Sequence, residues 1–233
     1  MSQVSKMLKA VFILLTCLAT LMGCETTQTP ESAREQKQVI VGASIDDLAT
    51  RLKALKITDE YPLRVYYHGD CAMVGTQFFE SIPFPIQSLN PSTSDGGALE
   101  KVTSLFTDES KINTYIDDAG MLRLHIGNSI DYPLFTNVDS FGIPSNVRHE
   151  PGTVVDYIAN APETKEVMKR FGLQQTAALS VFNLKPGYSD DSPQVPENFG
   201  NLTLNEALDV VASVFRRVVV YSTCGTHYSI KIY

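Results

Sequence analysis

Apolar residues recur three or four positions apart in several stretches of the chain, which is the spacing of one helix face. Residues 45–55 form the first such stretch, and Ser44 stands before it as a residue type that caps helix N-termini. Residues 204–215 form another, preceded by Thr203 with Glu206 three positions later, which is the pattern of a capping box. We therefore predict two well-defined helices at these positions.

Weaker patterns predict the remaining elements. A helix is expected after Gly97, and the run 153–171 is expected to form two helices because Pro162 interrupts it. Alternation of apolar and polar residues in 121–126 predicts a strand with one buried face, which closes a hairpin. Residues 78–89 contain two prolines, so a strand there is expected to be broken or to lie at a sheet edge that a partner could extend.

The order helix, strand, loop, helix and hairpin occurs twice. Leu48 and Leu99 are 51 positions apart, and so are Tyr157 and Leu208. A helix can bury its apolar stripe only against another layer of structure. We therefore predict an α+β protein of two small two-layer modules, each with two helices on a short mixed sheet that ends in a β-hairpin. A chance recurrence of a common element order is the alternative interpretation.

The N-terminus has the features of an export signal. Lys6 and Lys9 make it positive, and the apolar run 10–22 is shorter than the roughly 20 residues that span a bilayer. The run leads into Leu-Met-Gly-Cys at 21–24, which resembles the lipobox of bacterial lipoproteins. The resemblance implies cleavage before Cys24 and acylation of that cysteine. A secretory signal with a chance cysteine is the alternative.

The lipobox also suggests a location and a division of the chain. Glu25, rather than aspartate, follows the cysteine, which favours the outer membrane over the inner membrane. The predicted divisions are a signal peptide at 1–23, a flexible tether at 24–38, a first α+β module at 39–128, a linker at 129–152 and a second α+β module at 153–233.

The charge of the chain limits its partners. The formal net charge is −7, and loss of the signal lysines makes the remainder more acidic. Nucleic-acid binding needs clustered Lys and Arg, so nucleic acid is not expected as a partner. An acidic protein is not attracted to anionic lipid either, so contact with the membrane is expected through the covalent lipid alone.

Cys71 and Cys224 are the cysteines that remain after cleavage of the signal and lipidation of Cys24. An oxidising compartment favours their pairing, and one of them lies in each predicted module. A disulfide would therefore join the two modules. Two independent thiols are the alternative.

Parts of the chain resemble the short N-terminal domain of secretins and TonB-dependent transducers. Leu-Thr-Leu-Asn-Glu-Ala-Leu at 202–208 and Gly-Gly-Ala-Leu-Glu at 96–100 are similar to the start of its second helix, and Ser-Ile-Asp-Asp-Leu at 44–48 to its first. The resemblance covers 39–128 and, more loosely, 153–233. It implies a periplasmic docking module that adds its sheet or a helix face to another envelope protein.

Catalytic chemistry would depend on Cys224 and His227, because a thiolate beside an imidazole can act as a nucleophile. Both residues lie in or next to a predicted tight hairpin, where adjacent side chains diverge. The spacing of the four histidines does not predict a metal site, and the sequence holds no phosphate-binding loop or serine-hydrolase motif. Neither a metal nor a cofactor is predicted.

These patterns together predict a non-catalytic, lipid-anchored protein that faces the periplasm. Its expected role is that of a docking or assembly factor of a secretion, pilus or conjugation-type complex, with a secretin or pilus component as the expected kind of partner. The alternative is a cysteine-dependent periplasmic or cell-wall hydrolase that uses Cys224 and His227.

Overall fold

The computed structural model describes residues 39–40, 43–69, 71–74, 77–82, 85–87, 96–127, 132–176 and 192–233. The predicted signal peptide, the tether and Cys24 lie outside the described residues. The described part of the chain belongs to one compact unit, 37–233.

Six helices lie in the described ranges: α1 (Ile45–Ala54), α2 (Ile57–Glu60), α3 (Ala98–Thr103), α4 (Pro151–Asn160), α5 (Pro162–Arg170) and α6 (Leu204–Phe215). The capping predictions are confirmed. Ser44 Oγ accepts a hydrogen bond from Asp47 N (3.1 Å) at the start of α1. Thr203 Oγ1 accepts one from Glu206 N (3.1 Å) at the start of α6, and Glu206 Oε2 accepts one from Thr203 N (2.7 Å). Pro162 separates α4 from α5 as predicted.

The described strands are β1 (Val39–Ile40), β2 (Leu63–His68), β3 (Cys71–Val74), β4 (Gln77–Glu80), β5 (Ile86–Gln87), β6 (Ile112–Ile116), β7 (Leu122–Ile126), β8 (Asn137–Gly142), β9 (Gln174–Gln175), β10 (Asn198–Thr203), β11 (Val218–Cys224) and β12 (His227–Ile232). Six of them form one mixed sheet in the order β6-β7-β2-β11-β12-β9. The α+β class is confirmed.

The expectation of a separate sheet for each half of the chain is wrong. Strands β2 and β11 pair in parallel, from Leu63 opposite Val218 to His68 opposite Thr223, and this pairing joins the two halves. Nearly all residues of both strands are buried. Such strands need a neighbour on each side and a layer on each face, and neither half supplies these alone.

The helices of the two halves cover opposite faces of this sheet. Val65 and Tyr67 of β2 pack in one core cluster with α1, α2 and α3. Tyr66, which points the other way, packs in a second cluster with α4, α5 and α6. The unit 37–233 is therefore a three-layer structure, with the sheet between two sets of helices.

The two halves repeat one arrangement in inverted form. In each, the second strand of the hairpin pairs in parallel with the earlier strand of the same half: β7 with β2, and β12 with β9. Strands β7, β2 and β11 run one way, and β6, β12 and β9 run the other way. The inversion places the helices of one half opposite those of the other.

The region 129–152 is not a simple linker. Its strand β8 pairs with β10, and Leu134, Val138 and Ile143 are buried in the core cluster of the second half. The predicted edge at 78–89 contains β4, which pairs with β3, and β5, which pairs with β1, so each lies in a separate two-stranded sheet.

Candidate functional site

Strand β6 forms one end of the six-stranded sheet, and no strand within the described ranges pairs with its outer side. On its inner side it pairs antiparallel with β7, from Ile112 opposite Ile126 to Ile116 opposite Leu122. Helix α3 packs against it from one face. This edge is the candidate functional site.

The ladder between β6 and β7 shows which backbone groups face outward. Asp117 N donates to Met121 O (3.0 Å), so this pair is a hydrogen-bonded one. Hydrogen-bonded and non-hydrogen-bonded pairs alternate along an antiparallel ladder. The N–H and C=O groups of Ile112, Thr114 and Ile116 therefore point away from the sheet, where an added strand can pair with them.

The edge carries none of the usual chemical protection. Edge strands are commonly blunted by a charged residue or a proline, but β6 reads Ile-Asn-Thr-Tyr-Ile. Tyr115 is 38% exposed and Ile116 is 39% exposed. Alternation along the strand puts these two side chains on opposite faces, so the edge offers apolar contact on both.

A buried cluster of charged residues lies beside this edge, and we call Arg64, Arg123 and Asp209 the arginine cluster. Arg64 is 0% exposed; its Nη1 donates to Asp209 Oδ1 (2.5 Å) and to Asn205 O (3.0 Å). Arg123 Nη2 lies 2.8 Å from Asp209 Oδ2 and 2.6 Å from Asp117 Oδ2. One carboxylate of α6 thus binds two guanidinium groups on β2 and β7.

Three aromatic rings stack across the strands next to the cluster. The ring of His125 lies 4.3 Å from that of Tyr66 and 5.8 Å from that of Tyr115, with nearly parallel planes. Burial, followed by the charges of Arg123 and Arg64, lowers the pKa of His125 to about 4. The imidazole is therefore neutral near pH 7, and the stack supports Tyr115 at the edge without adding charge.

Asp117 fixes the turn that ends β6. Its Oδ1 accepts hydrogen bonds from Ala119 N (3.0 Å) and Met121 N (2.9 Å). Burial alone would raise the pKa of Asp117, but these bonds and the Arg123 guanidinium lower it below its usual value. The carboxylate stays ionised and holds the hairpin, so the edge is a preformed strand.

The predicted cysteine pair lies elsewhere in the fold. Cys71 of β3 and Cys224 of β11 form a disulfide with a Cα–Cα distance of 5.7 Å. His227 is the residue opposite Cys224 in the hairpin. In this state Cys224 carries no thiol, so the pair predicted as a nucleophile and its base is not available as one.

Two of the four histidines make separate contacts in different parts of the fold. His68 Nδ1 lies 2.8 Å from Thr223 Oγ1, and His149 Nδ1 lies 3.2 Å from Ser192 O. Across the described residues, no group of three or more His, Cys, Asp or Glu side chains is arranged to hold a metal ion.

The sequence interpretation missed both β6 as the open edge and the arginine cluster. One signal was present for the cluster: Arg64 interrupts an apolar strand between Leu63 and Val65. An arginine in a strand that is otherwise buried needs a carboxylate partner. The sequence does not show that this partner is Asp209, because the two residues meet only in the folded sheet.

No protein-family model matches this chain, and no curated protein or solved structure is significantly similar to it. None of the helices within the described ranges is both long enough and apolar enough to span a bilayer.

Proposed function

We propose that the protein is a non-catalytic lipoprotein of the bacterial cell envelope that docks onto a larger assembly of the secretion, pilus or conjugation type. In this proposal acyl chains on Cys24 attach it to a membrane, with the outer membrane favoured, and the folded unit faces the periplasm. The observation that carries the docking role is the open, uncharged edge strand β6.

Two features support the proposed location. The lipobox at 21–24 follows a positive segment and an apolar run of signal-peptide length. The pairing of Cys71 with Cys224 suits an oxidising compartment such as the periplasm, since thiols are kept reduced in the cytosol. The two features are independent, because the disulfide joins residues far from the N-terminus.

The edge supports docking by strand addition. A partner strand on β6 gains main-chain hydrogen bonds to Ile112, Thr114 and Ile116, and its side chains contact Tyr115 on one face. Because the Asp117 turn and the aromatic stack hold β6 in place, little ordering cost falls on this protein when it binds.

A photocrosslinking amino acid at Tyr115, compared with one at Tyr157, tests the role in intact cells. Both tyrosines are exposed, but Tyr157 lies on α4, away from β6. We expect the Tyr115 position to crosslink to one envelope protein and the Tyr157 position to give no such product. Equal products at both positions, or none at Tyr115 in a protein shown to reach the envelope, would contradict the proposal.

A further inference from the structure

We propose that β6 accepts, as a seventh strand, an extended segment of another protein in which a short apolar or β-branched stretch is flanked by Lys or Arg. This inference rests on the proposed docking function and adds the chemistry of the partner. It is carried by the backbone pattern of β6 and by the charges at its two ends.

The backbone pattern limits the length of the added strand. The outward N–H and C=O groups belong to Ile112, Thr114 and Ile116, and the strand ends at the Asp117 turn. A segment of about five residues covers these groups, because only alternate residues of an edge strand bond to a neighbour. Residues beyond those five lie next to the ends of β6.

The two faces of the edge favour an apolar or β-branched stretch. Tyr115 is exposed on the face of the aromatic stack. Ile116 is exposed on the opposite face, where α3 packs and carries the exposed Leu99. Side chains of an added strand alternate between these faces, so consecutive residues of the partner each meet an apolar surface.

The flanks of β6 favour basic residues in the partner. Glu109 precedes the strand and Asp118 follows it, and both are exposed. Asp108 stands beside Glu109, so Lys111 offsets only one of the two acidic charges at the first end, and Arg123 binds Asp117 at the other. Acidic charge remains at both ends of an uncharged strand, which is complementary to a segment with a cation on each side.

A second copy of this chain is disfavoured as the occupant by the same charges. Antiparallel pairing of β6 with itself would place acidic flanks near each other, and the whole chain has a net charge of −7. Like charges across an interface suppress a wrong partner. Self-pairing is therefore an outcome that the test must be able to detect.

The experiment measures binding of fluorescent nine-residue peptides to the full mature protein in mild detergent. The basic probe is Lys-Lys-Val-Thr-Val-Thr-Val-Lys-Lys, and the matched acidic probe has Glu in place of each Lys. We expect the basic probe to bind at least about tenfold more tightly at low salt, with a gap that narrows as salt rises.

Two substitutions at one position test the backbone contact. Thr114→Pro removes an N–H that points away from β7, so the hairpin keeps its own hydrogen bonds while the edge loses a donor. Thr114→Val keeps the N–H and replaces a buried hydroxyl that has no hydrogen-bond partner among the described residues. We expect the first variant to bind the basic probe about tenfold or more weakly, and the second to bind within about twofold of the native protein.

A double charge reversal, Glu109→Lys with Asp118→Lys, tests the flanks. Both side chains are exposed, so the fold should tolerate the change. We expect the preference to reverse in favour of the acidic probe. This variant also decides the matter if Thr114→Pro does not fold, because it leaves the backbone of β6 unchanged.

Several results would overturn the inference. They are equal binding of the two probes, unchanged binding to Thr114→Pro in its folded form, and self-association that Thr114→Pro abolishes. A Tyr115 crosslink to an envelope protein without a basic-flanked segment would overturn this inference but leave the docking role intact. Absence of both the crosslink and probe binding would contradict the docking role and the proposed partner segment together.

Discussion

The arginine cluster has a counterpart in the other half of the sheet, which we call the serine cluster: Glu80, Ser222, Ser229 and Lys231. Glu80 Oε1 accepts hydrogen bonds from Ser222 Oγ (2.5 Å) and Ser229 Oγ (2.9 Å), and Lys231 Nζ lies 3.4 Å from its Oε2. In each cluster an acidic residue of one half binds polar side chains on the sheet strands of the other half. The two halves are therefore joined reciprocally, once on each face of the sheet.

The clusters differ in what remains when the acid is removed. Without Asp209, the fully buried Arg64 loses its counter-charge. Within the described residues it keeps a hydrogen bond to the backbone carbonyl of Asn205 and a contact with the Tyr66 ring. Without Glu80, Ser222 and Ser229 still bond each other at 2.7 Å. An unpaired buried cation is far more costly than a satisfied hydroxyl pair, so equivalent positions in the fold should have unequal effects on stability.

The largest effect is expected from Asp209→Ala. Breaking a buried ion pair by removing one partner costs about 3–5 kcal/mol. Urea unfolding of the protein should show this loss or a failure to fold. Glu166→Ala removes the carboxylate of the exposed pair with Arg170 and should leave stability unchanged within error. A loss below about 1 kcal/mol in Asp209→Ala would show that the cluster does not hold the halves together.

Removal of the disulfide is expected to have the second-largest effect on stability. Cys71 and Cys224 are 153 positions apart, and the bond ties the β3–β4 hairpin to β11 beside the serine cluster. The double variant Cys71→Ser with Cys224→Ser should lose about 2–4 kcal/mol in free energy of unfolding. Mass spectrometry of the untreated protein should find a crosslinked peptide containing both cysteines. Two freely alkylated thiols in protein isolated without a reductant would contradict the pairing.

In the protein that keeps its disulfide, Glu80→Ala should lower the free energy of unfolding by about 1–3 kcal/mol, less than either of the two changes above. The hairpin that carries Glu80 stays tethered by Cys71, which lies opposite it in the ladder. The same substitution should cost more once the disulfide is absent, because neighbouring contacts are not additive. A double-mutant cycle with the serine variants measures this coupling, and a coupling of zero would show that the two contacts act independently.

The effect that is smallest at neutral pH is expected from the titration of His125 beside the arginine cluster, because its contribution to stability is lost only on acidification. Its pKa is lowered to about 4 in the fold from 6.5, so the unfolded chain binds the proton first as pH falls. Stability is then fully present above pH 6.5 and declines between pH 6.5 and 4. His125→Phe keeps a ring in the stack and should flatten the decline within that window. An identical pH profile for the two proteins would exclude this histidine as the cause.

Local features of the fold were predictable, because they depend on residues close together in the chain. The capping residues Ser44 and Thr203 and the break at Pro162 follow from backbone hydrogen bonding within one turn. The hairpin that ends at 126 follows from alternation over six residues. Each of these signals is complete within its own segment.

The single sheet was not predictable in this way. Parallel pairing of β2 with β11 joins segments far apart in sequence and leaves no turn between them. The equal spacing of 51 positions was also a misleading signal. A repeat would make Leu48 equivalent to Tyr157 and Leu208 equivalent to Leu99, but the first residue of each pair is buried and the second is exposed. The order of elements does recur, but residues at equal spacing do not occupy equivalent positions.

The open edge was missed for a related reason. The sequence interpretation placed the exposed edge at 78–89 because proline marks edge strands. Strand β6 has no proline and no charge, so nothing in its residues distinguishes it from an interior strand. Its position at the end of the sheet follows from the order of all six strands.

The parallel pairing of β2 with β11 also determines when the sheet can complete its folding. A chain that emerges from the N-terminus makes β2 early, whereas β11 begins only at Val218. Until that segment arrives, β2 has an unpaired edge and one apolar face without its covering helices, which is a state prone to aggregation. Contacts between such distant segments also form slowly. Completion of the sheet therefore has to wait for the segment that begins at Val218, and a holding chaperone is the natural protection for the half that forms first.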